Sequence, residues 1–214
     1  MICWIHGGPT DQWQVTFMPR VTYWVSRGWT VLVPDHRGST GHGRAFQQAM
    51  RHGWGTVDAV DVAATIAYAQ ALGWGKRSRT VLMGGSAGGY TALNVLVSNP
   101  ELVVGAAVVY PVSDPTVLSQ ATYRFEAHYN HTLVGHEPVV ANPERLERPV
   151  LILHGDQDPV VPVEGSKAFA ERAAALGKDI EFHVFEGEGH GFRQLVNQIA
   201  EYEFIEHFLQ RIAP

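Results

Sequence analysis

The sequence predicts an α/β domain built on one mostly parallel, twisted sheet with helices on both faces. Short, near-continuous apolar segments alternate with longer helix-like segments along the 214 residues. Strands buried on both faces have this composition, and alternation of strands with helices is typical of a parallel sheet. With 45% hydrophobic and 17% charged residues, the chain can bury a substantial core as a single domain spanning residues 1–214.

Six segments are predicted as strands and five as helices. The strands are expected near residues 2–5, 30–34, 80–83, 105–110, 149–154 and 180–185. The helices are expected near residues 16–26, 57–72, 89–98, 165–176 and 194–211. The single cysteine, Cys3, falls in the first strand, where inert core packing is expected.

A glycine-rich motif follows the third predicted strand. Residues 84–89 read Gly-Gly-Ser-Ala-Gly-Gly, directly before a helix-like segment. Gly84, Ser86 and Gly88 match the Gly-x-Ser-x-Gly pattern, in which small neighbours let a serine occupy a strained strand-to-helix turn with its hydroxyl exposed above the sheet. The motif therefore predicts a nucleophilic serine and hydrolysis through an acyl-enzyme.

Such a serine needs a histidine to take its proton and a carboxylate to orient that histidine. After a turn of this kind, the acid and then the histidine follow the serine along the chain. Asp158 lies in the loop after the fifth predicted strand, and His190 lies in the loop after the sixth. Because both loops follow the carboxyl ends of strands, where α/β sheets collect their chemistry, we assign Asp158 as the acid and His190 as the base.

Three other side chains compete for these roles. Asp156 lies two residues before Asp158, where an aspartate commonly shapes a turn by bonding to nearby backbone. His183 falls within a strand alternation, as a packed or surface histidine would. His36 precedes the serine in the chain, which argues against a place in the triad.

Hydrolysis also requires hydrogen-bond donors for the oxygen that becomes negative in the tetrahedral intermediate. The backbone N–H of Ala87, directly after the serine, is one candidate. The loop His6-Gly7-Gly8-Pro9 after the first strand offers the second, for which we choose Gly8. The alternative for this loop is an ordinary strand-terminating turn, which glycine and proline also favour.

Further motifs accompany these residues along nearly the whole chain. They are His6 to Thr10, Pro34 to Gly43, Trp54-Gly55 with Asp58 and Asp61, Gly84 to Tyr90, Tyr110 to Asp114, Phe125-Glu126 with Tyr129, and Leu133 to Gly135. Together they resemble the catalytic domain of the prolyl oligopeptidase family of serine peptidases, most of all its acylaminoacyl-peptidase and aminopeptidase branch. The resemblance implies an α/β-hydrolase fold and cleavage of short peptides, often near their amino terminus, with no metal or organic cofactor.

The sequence departs from this family at its start. Family members normally carry a β-propeller and two further strands ahead of the His-Gly-Gly-Pro strand, whereas Met1 opens directly on that strand. We therefore expect the chain to be the C-terminal part of a longer enzyme, lacking the first strands and any propeller. The strand at 30–33 would then form a sheet edge, which invites association. A homo-oligomer and a separate propeller domain both stay open as partners.

Residues 113–147 are the least regular stretch, and an insertion at this position commonly forms part of a substrate pocket. Glu126 is the candidate to pair with a substrate ammonium group, with a surface or structural ion pair as the alternative. Phe125, Tyr129 and Tyr110 are candidates for an apolar pocket wall, although aromatic residues at such spacing also occur in cores.

Composition argues against other classes of partner. The formal net charge is −5, from 16 basic and 21 acidic residues without a basic cluster, which disfavours nucleic acid. No apolar run reaches the roughly 18 residues of a membrane span, so no membrane partner is expected and a cytoplasmic location is the default. Three hypotheses follow: a serine peptidase with a peptide substrate, a carboxylesterase using the same residues, and a non-catalytic interaction domain.

Overall fold

Six parallel strands form one sheet in the computed structural model, which describes residues 1–116, 131–134 and 142–214. The strands run in the spatial order β2-β1-β3-β4-β5-β6. Their bounds are β1 Ile2–Ile5, β2 Val31–Leu32, β3 Val81–Gly85, β4 Gly105–Val109, β5 Val150–Gly155 and β6 Ile180–Phe185. The predicted parallel sheet is confirmed, and each predicted strand has a counterpart.

Six helices accompany the sheet within the described residues. They are α1 Pro19–Ser26, α2 Arg44–Gln48, α3 Val57–Ala71, α4 Ala87–Ser98, α5 Val163–Ala175 and α6 Leu195–Ile212. Two 3₁₀ helices span Arg77–Arg79 and Pro143–Arg145. The five predicted helices are present, whereas α2 was not predicted.

The two faces of the sheet bury two separate apolar clusters. On one face, side chains of α3, α4 and α5 pack on Cys3, Leu82 and Ile152. On the other face, α1 and α6 pack on alternate strand residues such as Ile2 and Val81. Because successive strand residues point to opposite faces, near-continuous apolar runs are what a sheet covered on both sides requires.

The strand β2 lies at an edge of the sheet, as predicted. Among the described strands it pairs with β1 alone, through Ile2 with Val31 and Cys3 with Leu32. Cys3 is fully buried, and burial raises the pKa of its thiol far above the usual range, so it packs as an inert apolar side chain. Within the described part of the chain, no helix has both the length and the apolar composition needed to cross a bilayer.

Candidate active site

Ser86 occupies the turn between β3 and α4. Its backbone has φ 56° and ψ −124°, a left-handed conformation that costs a non-glycine residue about 1–3 kcal/mol. Its N–H donates to Val109 O at 3.0 Å, and its carbonyl accepts from Tyr90 N at 3.1 Å and Val112 N at 3.3 Å. These bonds to α4 and to the end of β4 hold the strained turn in place.

Two glycines allow the turn to pack this closely. A Cβ atom at Gly84 would overlap the backbone of Gly88, and one at Gly88 would overlap the carbonyls of Ile5 and His6. Because the overlapping atoms are backbone, they cannot rotate away as a flexible side chain would. The turn sequence is therefore fixed by close approach between β3, α4 and β1.

Asp158 and His190 come together from the loops after β5 and β6. His190 Nδ1–H donates to Asp158 Oδ2 at 2.7 Å. Asp158 Oδ1 accepts from the N–H groups of Val160 and Val161, each at 2.9 Å. The carboxylate is buried and both of its oxygens are engaged, so it fixes the orientation of the histidine ring.

A second histidine, His154, supports the same carboxylate. It is fully buried at the end of β5, and its Nε2 lies 2.9 Å from Val161 O and 3.4 Å from Asp158 Oδ2. Its Nδ1 accepts from Ser166 Oγ at 2.9 Å. Burial opposes ionisation of Asp158, but the hydrogen bonds from His154, His190 and Val161 outweigh it and hold the pKa of this carboxyl well below its usual range.

The competing side chains lie elsewhere. Asp156 is exposed and accepts from Gly187 N at 2.7 Å, so it ties the β5 loop to the β6 loop. His183 stacks on Phe204 with ring centroids 3.9 Å apart. His36 is buried and stacks on His6 at 4.6 Å. Of the two aspartates, Asp158 is the one that contacts His190.

The loop after β1 lies beside Ser86, and the two line one cavity. Gly8 has φ +115°, and the Gly8–Pro9 peptide is cis. His6 Nδ1–H donates to Gly7 O at 2.7 Å, and its Nε2 accepts from Ser39 Oγ at 2.7 Å. Burial lowers the pKa of His6, which favours the neutral ring that this bonding pattern needs.

Ala87 begins α4, so its N–H is one of the free donors at the start of that helix. It is buried, and it follows Ser86 directly. The positive end of the helix dipole also lies here, which favours negative charge. The two residues predicted to supply oxyanion donors therefore lie beside Ser86: Ala87 follows it directly, and Gly8 lines the same cavity.

A cavity of about 580 Å³ joins these elements, and both Ser86 and His190 line it. Tyr110, at φ 39°, also lines it and packs its ring 4.5 Å from that of His190. Of the predicted pocket residues, Tyr110 therefore reaches the cavity. Phe125, Glu126 and Tyr129 lie outside the described residues.

Other motif residues brace the surrounding loops. Arg37 holds Asp61 with two guanidinium nitrogens, Nε and Nη2, and donates its backbone N–H to the same carboxylate. Asp61 is thus the ion-pair partner of Arg37. The buried Asp58 accepts from Gly55 N at 2.7 Å and from Thr91 Oγ1 at 2.5 Å, which anchors the start of α3 to α4.

Sequence reasoning missed two features of this site. The role of His154 depends on contacts across the fold, although its position at the end of a strand, four residues before Asp158, was a usable signal. Glu201 and Arg20 also line the cavity and are 181 residues apart, so no local pattern links them. In the described ranges, no group of three or more His, Cys, Asp or Glu side chains is arranged to hold a metal.

Comparison with known proteins identifies the family and the fold of this chain. The model of the prolyl oligopeptidase family matches residues 15–213. The chain is 28% identical to dipeptidyl peptidase family member 6 of Caenorhabditis elegans, over 99% of this chain and 31% of that protein. It is 26% identical to dipeptidyl aminopeptidase BIII of Pseudoxanthomonas mexicana, over 98% of this chain and 32% of that protein.

Solved structures also resemble this chain. A puromycin-hydrolyzing peptidase of Mycobacterium tuberculosis superposes with a TM-score of 0.94 at 32% identity, covering 99% of this chain and 34% of that one. An acylaminoacyl peptidase, at 20% identity and a TM-score of 0.90, shares the fold over 99% of this chain and 36% of its own length. The chain thus spans about a third of the proteins it matches. It has the α/β-hydrolase fold and belongs to the prolyl oligopeptidase family.

Proposed function

We propose that this chain carries the catalytic site of a serine peptidase that cleaves short peptides near their amino terminus. The observation that carries the proposal is the 2.7 Å hydrogen bond between His190 and the buried Asp158, at a cavity that Ser86 also lines. Membership in a family of peptidases supports the reaction class. The names of the relatives, which include dipeptidyl and acylaminoacyl peptidases, support the substrate class.

His190 is the general base and then the general acid. Because its Nδ1–H is held by Asp158, the neutral ring presents an unprotonated Nε2 that can accept the proton of Ser86 Oγ. As the proton moves, Ser86 Oγ forms a bond to the substrate carbonyl carbon. The imidazolium then gives its proton to the leaving amine as the C–N bond breaks, and the acyl group stays on Ser86.

Deacylation repeats the same proton transfers with water. His190 takes a proton from a water molecule that attacks the ester carbonyl, and then returns a proton to Ser86 Oγ as the acid product leaves. Asp158 stabilises the imidazolium in both half-reactions. It stays ionised throughout, in keeping with the lowered pKa of its carboxyl.

Backbone donors stabilise the oxyanion of each tetrahedral intermediate. We assign this role to the N–H groups of Gly8 and Ala87. Ala87 begins α4, and Gly8 lies in the loop that follows β1. Loss of one such donor typically lowers kcat by about 100- to 1,000-fold.

Hydrolysis of chromogenic anilides tests the proposal. The 214-residue chain and its Ser86→Ala variant would be incubated with aminoacyl, dipeptidyl and N-acetyl-aminoacyl p-nitroanilides, with puromycin, and with p-nitrophenyl esters. We expect hydrolysis of at least one amide by the wild type and none above background by the variant. Cleavage of esters alone would favour the carboxylesterase, and no cleavage by a folded chain would favour the interaction domain.

Two expectations from the sequence remain predictions. A cytoplasmic location is testable by fractionating cells of the source organism. Association with a further copy or with a propeller domain is testable by measuring the mass of the native complex. Neither is needed for the chemistry proposed at Ser86.

A further inference from the structure

Glu201, on α6, is a buried carboxylate in the wall of the catalytic cavity. It is 5% exposed, yet it lines the same 580 Å³ space as Ser86 and His190. Neither the triad nor the oxyanion donors use it. A buried charge is costly unless it is paired and hydrogen-bonded, so its presence here calls for a partner.

The pairing of Glu201 within the described part of the chain is incomplete. Its Oε2 accepts one hydrogen bond, from Arg20 Nη2 at 3.3 Å, and its Oε1 accepts none from the described residues. The Arg20 side chain is 47% exposed, so solvent weakens this pair. Burial raises the pKa of Glu201, and the nearby Arg20 charge only partly opposes that effect.

Glu188 is a buried carboxylate with several hydrogen-bond donors, and it provides a comparison for Glu201. It is 1% exposed and receives hydrogen bonds from Arg193 N, Gln194 N and Asn197 Nδ2, all between 2.8 and 2.9 Å. These donors lower its pKa. Glu201 is buried to a similar extent but has one hydrogen bond from the described residues, so a lining residue of the cavity has an incompletely paired carboxylate.

The position of Glu201 relates it to the reacting groups. Tyr110 packs its ring 4.5 Å from that of His190. Tyr110 lines the same cavity as Glu201. A ligand group that meets Glu201 would therefore occupy the space that Tyr110 and His190 also line.

The charge of the cavity wall selects the sign of that group. Apart from histidines, the described residues that line the cavity include three charged side chains, Asp11, Glu201 and Arg20, two negative and one positive. A negatively charged ligand group would be repelled by this net negative charge. A cation would be attracted to it and would complete the pairing of the buried carboxylate.

We propose that Glu201 forms a subsite for a cationic group of the substrate, an ammonium or guanidinium, inside the catalytic cavity. The inference rests on the proposed function, since it deepens the substrate class of the same site. The cation comes either from the free amino terminus of the peptide or from a basic side chain. Both would place N–H donors on Oε1 of Glu201.

Matched substrates test the subsite. One pair, N-acetyl-lysine and N-acetyl-norleucine p-nitrophenyl esters, differs only in the side-chain ammonium. A second pair, norleucine and N-acetyl-norleucine p-nitroanilides, differs in the terminal ammonium. Wild-type kcat/KM is expected to favour the cationic member of at least one pair by about 10- to 100-fold, the range of a charged hydrogen bond. Equal values within both pairs would overturn the inference.

Three variants separate recognition from structure. Glu201→Gln should abolish the preference by lowering kcat/KM mainly for the cationic member, and the exposed Glu203→Gln on the same helix should leave the preference unchanged. Arg20→Gln removes the resident cation and should retain or increase the preference. If Arg20→Gln abolishes the preference as Glu201→Gln does, the pair is merely structural and the inference fails.

A binding measurement keeps this test independent of catalysis. Titration of n-butylammonium into the Ser86→Ala chain should give binding that is at least 10-fold weaker in the Ser86→Ala/Glu201→Gln chain, and absence of that difference would overturn the subsite. Labelling of Ser86 by a fluorophosphonate reports on the proposed function alone. A chain that is labelled but shows no cation preference refutes only the subsite, whereas a chain that binds the cation but is never labelled refutes only the peptidase.

Discussion

Replacing Asp158 by Asn should lower kcat by a factor that can be worked from the hydrogen bonds of the site. Asp158 Oδ1 accepts from two backbone N–H groups, the partly buried one of Val160 and the buried one of Val161. An Asn side chain keeps those bonds only if its carbonyl oxygen takes the Oδ1 position. Its NH₂ group then faces His190 and forces Nδ1 to be an acceptor, so the proton moves to Nε2 and the ring cannot deprotonate Ser86.

The productive tautomer would require the Asn side chain to flip. That flip leaves these two N–H donors facing an NH₂ group, at about 1–3 kcal/mol each and about 2–6 kcal/mol together. The population of the productive state then falls by between about 30-fold and about 10⁴-fold, and loss of the charge that stabilises the imidazolium moves the result toward the upper end. We expect kcat near the upper end of this loss, with KM little changed.

The assay is hydrolysis of the best anilide from the substrate panel, with Asp156→Asn as the matched control on the same loop. Asp156 contacts Gly187 N rather than His190, so its variant should keep kcat within about threefold of wild type. Thermal melts would establish that both variants fold. Retention of more than a tenth of wild-type kcat by Asp158→Asn, or an equal loss in Asp156→Asn, would refute the reasoning.

The remaining predictions concern the turn, the oxyanion loop and pH. Gly88→Ala should destabilise the fold by about 1–3 kcal/mol, because its Cβ meets backbone atoms, whereas Gly7→Ala should cost less, since its nearest contact is 3.5 Å away; urea melts measure both. Gly8→Ala, at φ +115°, should lower kcat by about 100- to 1,000-fold as the loop shifts, and unchanged kcat would argue against this donor. The folded-state pKa of Asp158 lies below the unfolded value of about 3.9, so its stabilising effect is complete above that value and is lost as the pH falls through the folded pKa. The difference in unfolding free energy between wild type and Asp158→Asn should therefore shrink between pH 7 and pH 3, and a constant difference would contradict this assignment.

Much of the fold could be predicted because parallel strands buried on both faces leave a strong compositional signal. The segment 150–155 is apolar for most of its length, and β5 occupies it with every residue buried. Elements with a weaker compositional signal were predicted less accurately. The helix α2 has five residues and none of them is buried, so no apolar face marks it in the sequence. The predicted strand at 30–34 was too long, since β2 spans Val31–Leu32.

In the site, too, some residues could be predicted from the sequence and others could not. Ser86, Asp158 and His190 could be selected because each follows a strand, and strand ends converge at one edge of a parallel sheet. The charged residues in the cavity wall around them could not be selected in this way. Arg20 meets Glu201 across 181 residues, through the packing of α1 and α6 on one face of the sheet. No pattern within either helix encodes that meeting.

The central claim is that Ser86 is an activated nucleophile in this chain. It is tested most directly by exposing the purified chain and its Ser86→Ala variant to a fluorophosphonate and measuring intact mass. The account predicts one adduct on the wild type, located at Ser86 by peptide mapping, and none on the variant. An unlabelled wild type with a cooperative melting transition, or equal labelling of both proteins, would contradict it.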